Sequence, residues 1–245
     1  MNTHVTAPTP KPALRRAVAG GAPATSLRWL GQSSFLLTSA SGTKVLMDPI
    51  PKGYGYDGPA LEGIDVITIT HDHPDHVNVS LAAGNPPVLR GLSGGDWAKI
   101  EQKVNDVSIR TVGAFHDGTQ GSQRGKDAIF IIEADGLRIV HLGDLGHTLT
   151  PEQVSAVGPV DVLLIPVGGF YTIDATQATQ VMGQLRARVA IPIHFKTPKI
   201  RPDWPGVGVD DFLMGKKVER AGASTYTFSK HSLPQETTVK VLDPE

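Results

Sequence analysis

The chain carries 245 residues, with 23 Lys and Arg against 24 Asp and Glu for a formal net charge of −1. That balance argues against long nucleic-acid or anionic-membrane partners. The absence of cysteine removes disulfides and thiolate metal sites, so a bound metal must be held by His and Asp.

Residues 1–25 are rich in Pro, Ala and Thr and lack an apolar period, which predicts a flexible tail. Arg15-Arg16 before Ala17-Val18-Ala19 is a faint export signal. Its apolar stretch is short and broken by Gly20-Gly21, so a cytoplasmic protein is expected, with the periplasm as the alternative. No apolar run approaches the ~18 residues of a membrane span. With 40% hydrophobic and 19% charged residues, 26–245 is expected to fold as a single domain around a substantial core.

Residues 27–30, 34–38 and 44–47 read as three successive strands, the last two joined at Ser41-Gly42. Asp48-Pro49 ends the third, and Asp48 is either a turn former or an acceptor behind a ligand imidazole. The loop over 51–60 holds Tyr54 and Tyr56, candidates for a pocket wall. Residues 65–70 alternate with period two and form a strand. It runs straight into His71-Asp72-His73-Pro74-Asp75-His76, which packs three imidazoles and two carboxylates into six residues. These donors suit zinc, manganese or iron, and they are too many for one four-coordinate ion.

Beyond the cluster the sequence predicts a short helix near 77–83, a strand at 87–90 and a helix over 96–104. A strand over 107–112 runs on to His116. Two strands at 128–134 and 137–142 pair across Asp135-Gly136, and the second leads to Asp144. Thr150 with Gln153 signs one helix start and Asp174 with Gln177 another, the latter carrying an apolar stripe to about residue 188. Buried strands follow at 160–167 and 189–193, the second ending at His194. A last helix is expected over 210–221, then short strands near Tyr226 and Val239. Four β runs thus end in candidate ligands: His71, His116, Asp144 and His194. Strand ends sharing one edge of a sandwich would converge, and such a supply suits two ions with a bridging Asp and an open position for solvent.

The chain resembles the metallo-β-lactamase-fold hydrolases over nearly its whole length from Ser26. His71-Asp72-His73-Pro74-Asp75-His76 fits the family's HxHxDH, and His116, Asp144 and His194 follow in order. Trp29-Leu30-Gly31-Gln32-Ser33, Met47-Asp48-Pro49, Gly143-Asp144-Leu145-Gly146-His147 and Pro166-Val167-Gly168-Gly169 are similar to landmarks of the subgroup that includes ascorbate-6-phosphate lactonase. The resemblance implies an α/β four-layer αββα sandwich. It also implies one ion on His71, His73 and His116, a second on Asp75, His76 and His194, and Asp144 between them. Gln32 departs from it, standing where many relatives have His.

The expected cofactor is two divalent ions, zinc first with manganese or iron as alternatives. The expected activity is hydrolysis of a small ester, lactone or amide by a metal-bound hydroxide, with a phosphodiesterase or nuclease as second reading. A non-catalytic metal protein or a mono-iron redox enzyme stands third. Asp75 and Asp144 are the candidate catalytic carboxylates, and His147 is a candidate proton donor to the leaving group, with capping as its alternative. Lys196 is a candidate anion contact, and Phe170 and Tyr171 are candidate lining. His141, His231 and His4 are read as structural or surface residues. The expected partner is a small-molecule substrate, with homo-oligomerisation left open.

Overall fold

The structure, a computed structural model, describes residues 24–245, so the expected tail lies almost wholly outside the described residues. Strands β1 (Thr25–Gly31), β2 (Ser34–Thr38), β3 (Lys44–Met47), β4 (Val66–Ile69) and β5 (Val88–Arg90) are followed by a ribbon of β6 (Leu92–Ser93) and β7 (Asp96–Trp97). Then come β8 (Glu101–Val104), β9 (Val107–Phe115), β10 (Lys126–Ala134), β11 (Leu137–His141), helix α1 (Pro151–Val157), β12 (Val162–Pro166), helix α2 (Ala175–Leu185) and β13 (Val189–Ile193). The chain closes with α3 (Asp210–Leu213), β14 (Val218–Arg220), β15 (Thr225–Phe228) and β16 (Thr238–Val241). Two mixed sheets result, ordered β15-β1-β2-β3-β4-β5 and β14-β16-β13-β12-β11-β10-β9-β8.

Period-two alternation sorts the side chains between faces. Leu27, Trp29, Phe35, Leu37, Val45 and Met47 of the first sheet share one buried cluster with Ile109, Ile129, Ile131, Val140 and Leu163 of the second. Leu36, Leu46, Ile67 and Ile69 turn to the other face and pack with Leu61, Val77 and Leu81. Outside the second sheet, α2 buries Ala178, Val181 and Leu185, an apolar stripe one helix face wide. Both capping boxes form: Thr150 with Gln153, and Asp174 with Gln177. The sandwich is the one expected, with the layer outside the first sheet reduced to loops and a 3-10 turn at Val79–Leu81, where a longer helix was predicted.

Two predicted helices are corrected. Residues 96–104 hold β7 and β8 instead: Val104 pairs with Val107 across Asn105-Asp106, with Asn105 at φ 52°, and the ladder offered by long β9 overrides the helix propensity. The helix from Asp210 stops at Leu213, because Gly215 takes φ 71° and residues 218–220 join β16 as a parallel edge strand. The helix predicted from Asp174, α2, ends about three residues early at Leu185, with Arg186 capping it in the left-handed conformation.

Strand direction sets where the functional residues gather. β11, β12 and β13 are parallel, and β9 is antiparallel to β10, which is antiparallel to β11. The carboxyl ends of β9, β11 and β13 therefore share one edge of the second sheet. In the first sheet β3 and β4 run parallel while β2 runs opposite to β3, so Asp48, His71 and the β1–β2 turn share one edge too. No helix among the described residues is long and apolar enough to cross a membrane.

Candidate metal centre

At this edge the structure brings together all seven residues named as donors. One oxygen is the hub: Asp144 Oδ2 stands 3.2 Å from His194 Nε2, 3.3 Å from both His76 Nε2 and His116 Nε2, and 3.9 Å from His71 Nε2. Donor atoms of His71, His73 and His116 lie within 4.8 Å of one another, as do those of Asp75, His76 and His194, and those of His71, His76 and Asp144. Two triads thus flank one carboxylate. His76 Nε2 is fully buried without a hydrogen-bond partner among the described residues, an orphan that a cation at this point would satisfy. Imidazole nitrogens and carboxylate oxygens in this arrangement fit a first-row divalent metal.

Electrostatics is shaped by burial and by this crowding. Burial would raise the Asp144 carboxyl, but His194, His76 and His116 around it hold it well below the ordinary carboxylate value. Burial likewise opposes the charged form of His76, yet Asp144, Asp75 and Asp48 outweigh it and raise that imidazole well above its ordinary value. His116 is also raised, through Asp144 and Asp127 against burial. His73 goes the other way, to about 4, because burial and the neighbouring His71 and His116 disfavour its charge. Buried carboxylates that favour positive charge on the imidazoles around them make a site where a bound cation would be favoured in the same way.

Outer carboxylates aim the imidazoles. Asp48, at φ 42° on the end of β3, accepts from His76 Nδ1 at 2.9 Å and from Thr70 N and Oγ1 at 2.8 and 2.7 Å. Of its two sequence readings, the acceptor behind an imidazole is the one the structure has. Asp127, near the start of β10, is fully buried with Oδ1 3.4 Å from His71 Nδ1, and neither oxygen has a hydrogen-bond partner among the described residues. Each triad thus has an outer carboxylate of its own, Asp48 behind His76 and Asp127 behind His71. Gly143 leaves room for it: at φ 55°, a Cβ there would stand 2.6 Å from Asp127 Oδ1 and 2.8 Å from Thr70 Oγ1. Ser33 Oγ donates to Asp144 Oδ1 at 3.2 Å. Gln32 and His194 also hold positive φ, 48° each. Such clustering of left-handed non-glycine residues, each costing on the order of 1 kcal/mol, marks a site whose surroundings force the backbone.

Two other histidines are committed elsewhere. His141 Nε2 donates to Ser33 O at 2.7 Å while its Nδ1 accepts from Gly143 N, so it ties the β1–β2 turn to the end of β11, a structural role. His147 Nε2 accepts from Phe115 N at 3.1 Å and Nδ1 donates to Thr148 O at 2.8 Å. With both ring nitrogens spent on backbone, His147 has no proton to offer a leaving group; it braces the strand end before His116. This corrects the sequence-based expectation.

His73 and Asp75 are half-buried while the other donors are buried, so the centre opens on their side. Tyr54 packs under the Arg201 guanidinium, which lies 5.0 Å from its ring centroid, and burial with the charge of Asp75 raises its phenol. Tyr56 is instead buried under Ile200 and Trp204, its hydroxyl on Thr197. Tyr171 and Trp204 flank His194, with ring centroids 6.4 and 5.3 Å away. Phe170 stands against Tyr171 and is exposed. Lys196 turns to Pro202 O at 3.2 Å and is exposed.

The roles of Asp127, Ser33 and Trp204 escaped the sequence reading. Asp127 left a trace: it is the acid directly before the apolar run Ala128-Ile129-Phe130-Ile131-Ile132. Ser33 stood in the Trp29-Leu30-Gly31-Gln32-Ser33 landmark without its contact to Asp144 being legible, and Trp204 left no trace, since both act through contacts remote in sequence.

A family profile described as a Beta-lactamase superfamily domain matches residues 26–194. The chain is 31% identical over 236 residues to a UPF0173 metal-dependent hydrolase of Cupriavidus taiwanensis, covering 78% of this chain and 82% of that protein. It is 29% identical over 223 residues to another from Hyperthermus butylicus, covering 78% and 94%. A crystal structure from Thermotoga maritima, assigned to the Zn-dependent hydrolases of the metallo-β-lactamase superfamily, is similar at TM-score 0.68 and 32% identity, covering 89% of this chain and 98% of that one.

Proposed function

Because this chain belongs to the metallo-β-lactamase superfamily and is a metal-dependent hydrolase, we propose that it works with two divalent ions, zinc first, on a small ester, lactone or amide. The observation that carries the number two is the hub at Asp144 Oδ2, where four imidazole Nε2 atoms converge from two triads. His71, His73 and His116 would hold one ion, Asp75, His76 and His194 the other, and Asp144 both. When bound, the pair supplies Lewis acidity, polarising a carbonyl oxygen and acidifying water toward neutrality.

The chain's own residues do the rest. Asp48 holds His76 in one tautomer and one orientation, Thr70 Oγ1 and Asp127 stand behind His71 Nδ1 at 3.0 and 3.4 Å, and Ser33 fixes the second oxygen of Asp144. Asp75 is the half-buried carboxylate at the opening. It takes the proton from the attacking water as the new C–O bond forms, and returns it to the departing oxygen or nitrogen as the scissile bond breaks. Tyr171, Trp204 and Tyr54 wall the opening and limit it to a small substrate.

A hydrolysis panel on zinc-reconstituted protein tests this reading, with lactones and aryl esters beside a chromogenic phosphodiester and Asp144→Asn as control. Turnover of carbonyl substrates, reduced at least ~100-fold in the folded variant, is expected. Turnover of the phosphodiester alone would replace the reading with the phosphodiesterase one.

A further inference from the structure

We infer that Arg124 forms an anion subsite at the mouth of the metal centre, and that the substrate carries a carboxylate or phosphate group received by this guanidinium. The inference rests on the hydrolase reading above and narrows its substrate class to small oxyanion-bearing compounds.

The position of Arg124 is built rather than incidental. It lies on the loop that leaves His116, and that loop is clamped by Asp117, which is 4% exposed. The Asp117 carboxylate accepts from Thr119 N and Oγ1, Gly121 N, Gln123 N and Arg124 N, at 2.7 to 3.0 Å. The Arg124 guanidinium lies 5.8 Å from the centroid of the Tyr171 ring, which itself lies 6.4 Å from the His194 ring. The cation therefore joins the loop after one candidate ligand to the loop that packs on another. It does so beside Tyr171, whose ring stands edge-on to His194.

Its charge is left over. Among the described residues Arg124 makes no ion pair, whereas nearby cations do: Arg201 pairs with Asp203 at 3.4 Å and Lys126 with Asp96 at 2.8 Å. Both oxygens of Asp117 are taken up by loop donors, chiefly backbone. Arg124's side-chain N–H donors thus remain for a ligand, on a planar fork that matches carboxylate or phosphate and is held against an aromatic face. Lys196, the cation suggested by sequence for this task, is spent on the Pro202 carbonyl.

The test uses zinc-loaded full chain and two probes, succinate and inorganic phosphate, titrated by calorimetry into wild type, Arg124→Gln and Arg124→Lys. Because Asp117 holds the loop through the Arg124 backbone, an unchanged thermal midpoint is expected in both variants. At least one probe should bind wild type, about tenfold or more weaker in Arg124→Gln, with partial recovery in Arg124→Lys. Preference for succinate assigns a carboxylate, and preference for phosphate a phosphate group. Equal affinities in wild type and Arg124→Gln, or no binding of either probe to wild type, would overturn the subsite. Kinetics adds a second arm, comparing mono-4-nitrophenyl succinate with 4-nitrophenyl acetate. The ratio of their kcat/KM should fall at least about fivefold in Arg124→Gln, through KM; an unchanged ratio counts against the proposal. Titration needs no turnover, so Arg124-dependent binding in a protein inactive on every ester would sink the hydrolase substrate reading and leave the subsite standing.

Discussion

Asp127 shows how much a single side chain decides here. A carboxylate buried to 0% exposure with both oxygens unpartnered among the described residues is costly, and it stands 3.4 Å behind His71 Nδ1. Thr70 Oγ1 contacts that nitrogen at 3.0 Å and Asp127 adds its charge 3.4 Å away, so the two together set which edge of the imidazole turns toward Asp144. Asp127→Ala should weaken binding of one of the two ions about 10- to 100-fold in a chelator competition. Asp127→Asn, which keeps an acceptor oxygen, should recover most of that loss. Equal zinc affinity in the alanine variant and wild type would remove Asp127 from the centre. At the same scale, the HxHxDH cluster was legible because six adjacent residues carry it, and Asp48 was legible as one of two options. Asp127 was not, because nothing local distinguishes a buried acid at a strand start from an exposed one.

Elements succeed or fail according to whether their reasons are local. The hairpin at Asp135-Gly136 and the capping boxes of α1 and α2 were readable because turn and cap chemistry lies within four residues. Residues 96–104 and 214–221 were misread because their state is decided by β9 and β16, partners that no local pattern announces. The loop from Asp117 to Gly125 depends on one residue in the same way. Burial would raise the Asp117 carboxyl, but N–H donors from Arg124, Thr119 and Gln123 hold it far below the ordinary range. Asp117→Ala removes the acceptor for five donors. It should cost about 1–3 kcal/mol in chemical unfolding and open the loop to limited proteolysis. A variant as stable and as protease-resistant as wild type would show that the loop is held by something else.

At the scale of the molecule, the sandwich exists to bring strand ends together. β3, β4, β9, β11 and β13 each deliver a donor or its support to one shared rim, over separations of 28 to 50 residues between His71, His116, Asp144 and His194. Topology of this kind is a consequence of parallel strand order, so the four ligand-ended runs could be recognised before the fold was seen. The mouth could not, because Arg124, Tyr171, Tyr54 and Trp204 meet only through loop conformation. The central claim is a two-ion centre bridged by Asp144. Elemental analysis of zinc-reconstituted, desalted protein tests it most directly, with His116→Ala beside wild type. The account predicts two zinc ions per chain in wild type and one in the variant. A single ion in wild type, or two in both proteins, would contradict it.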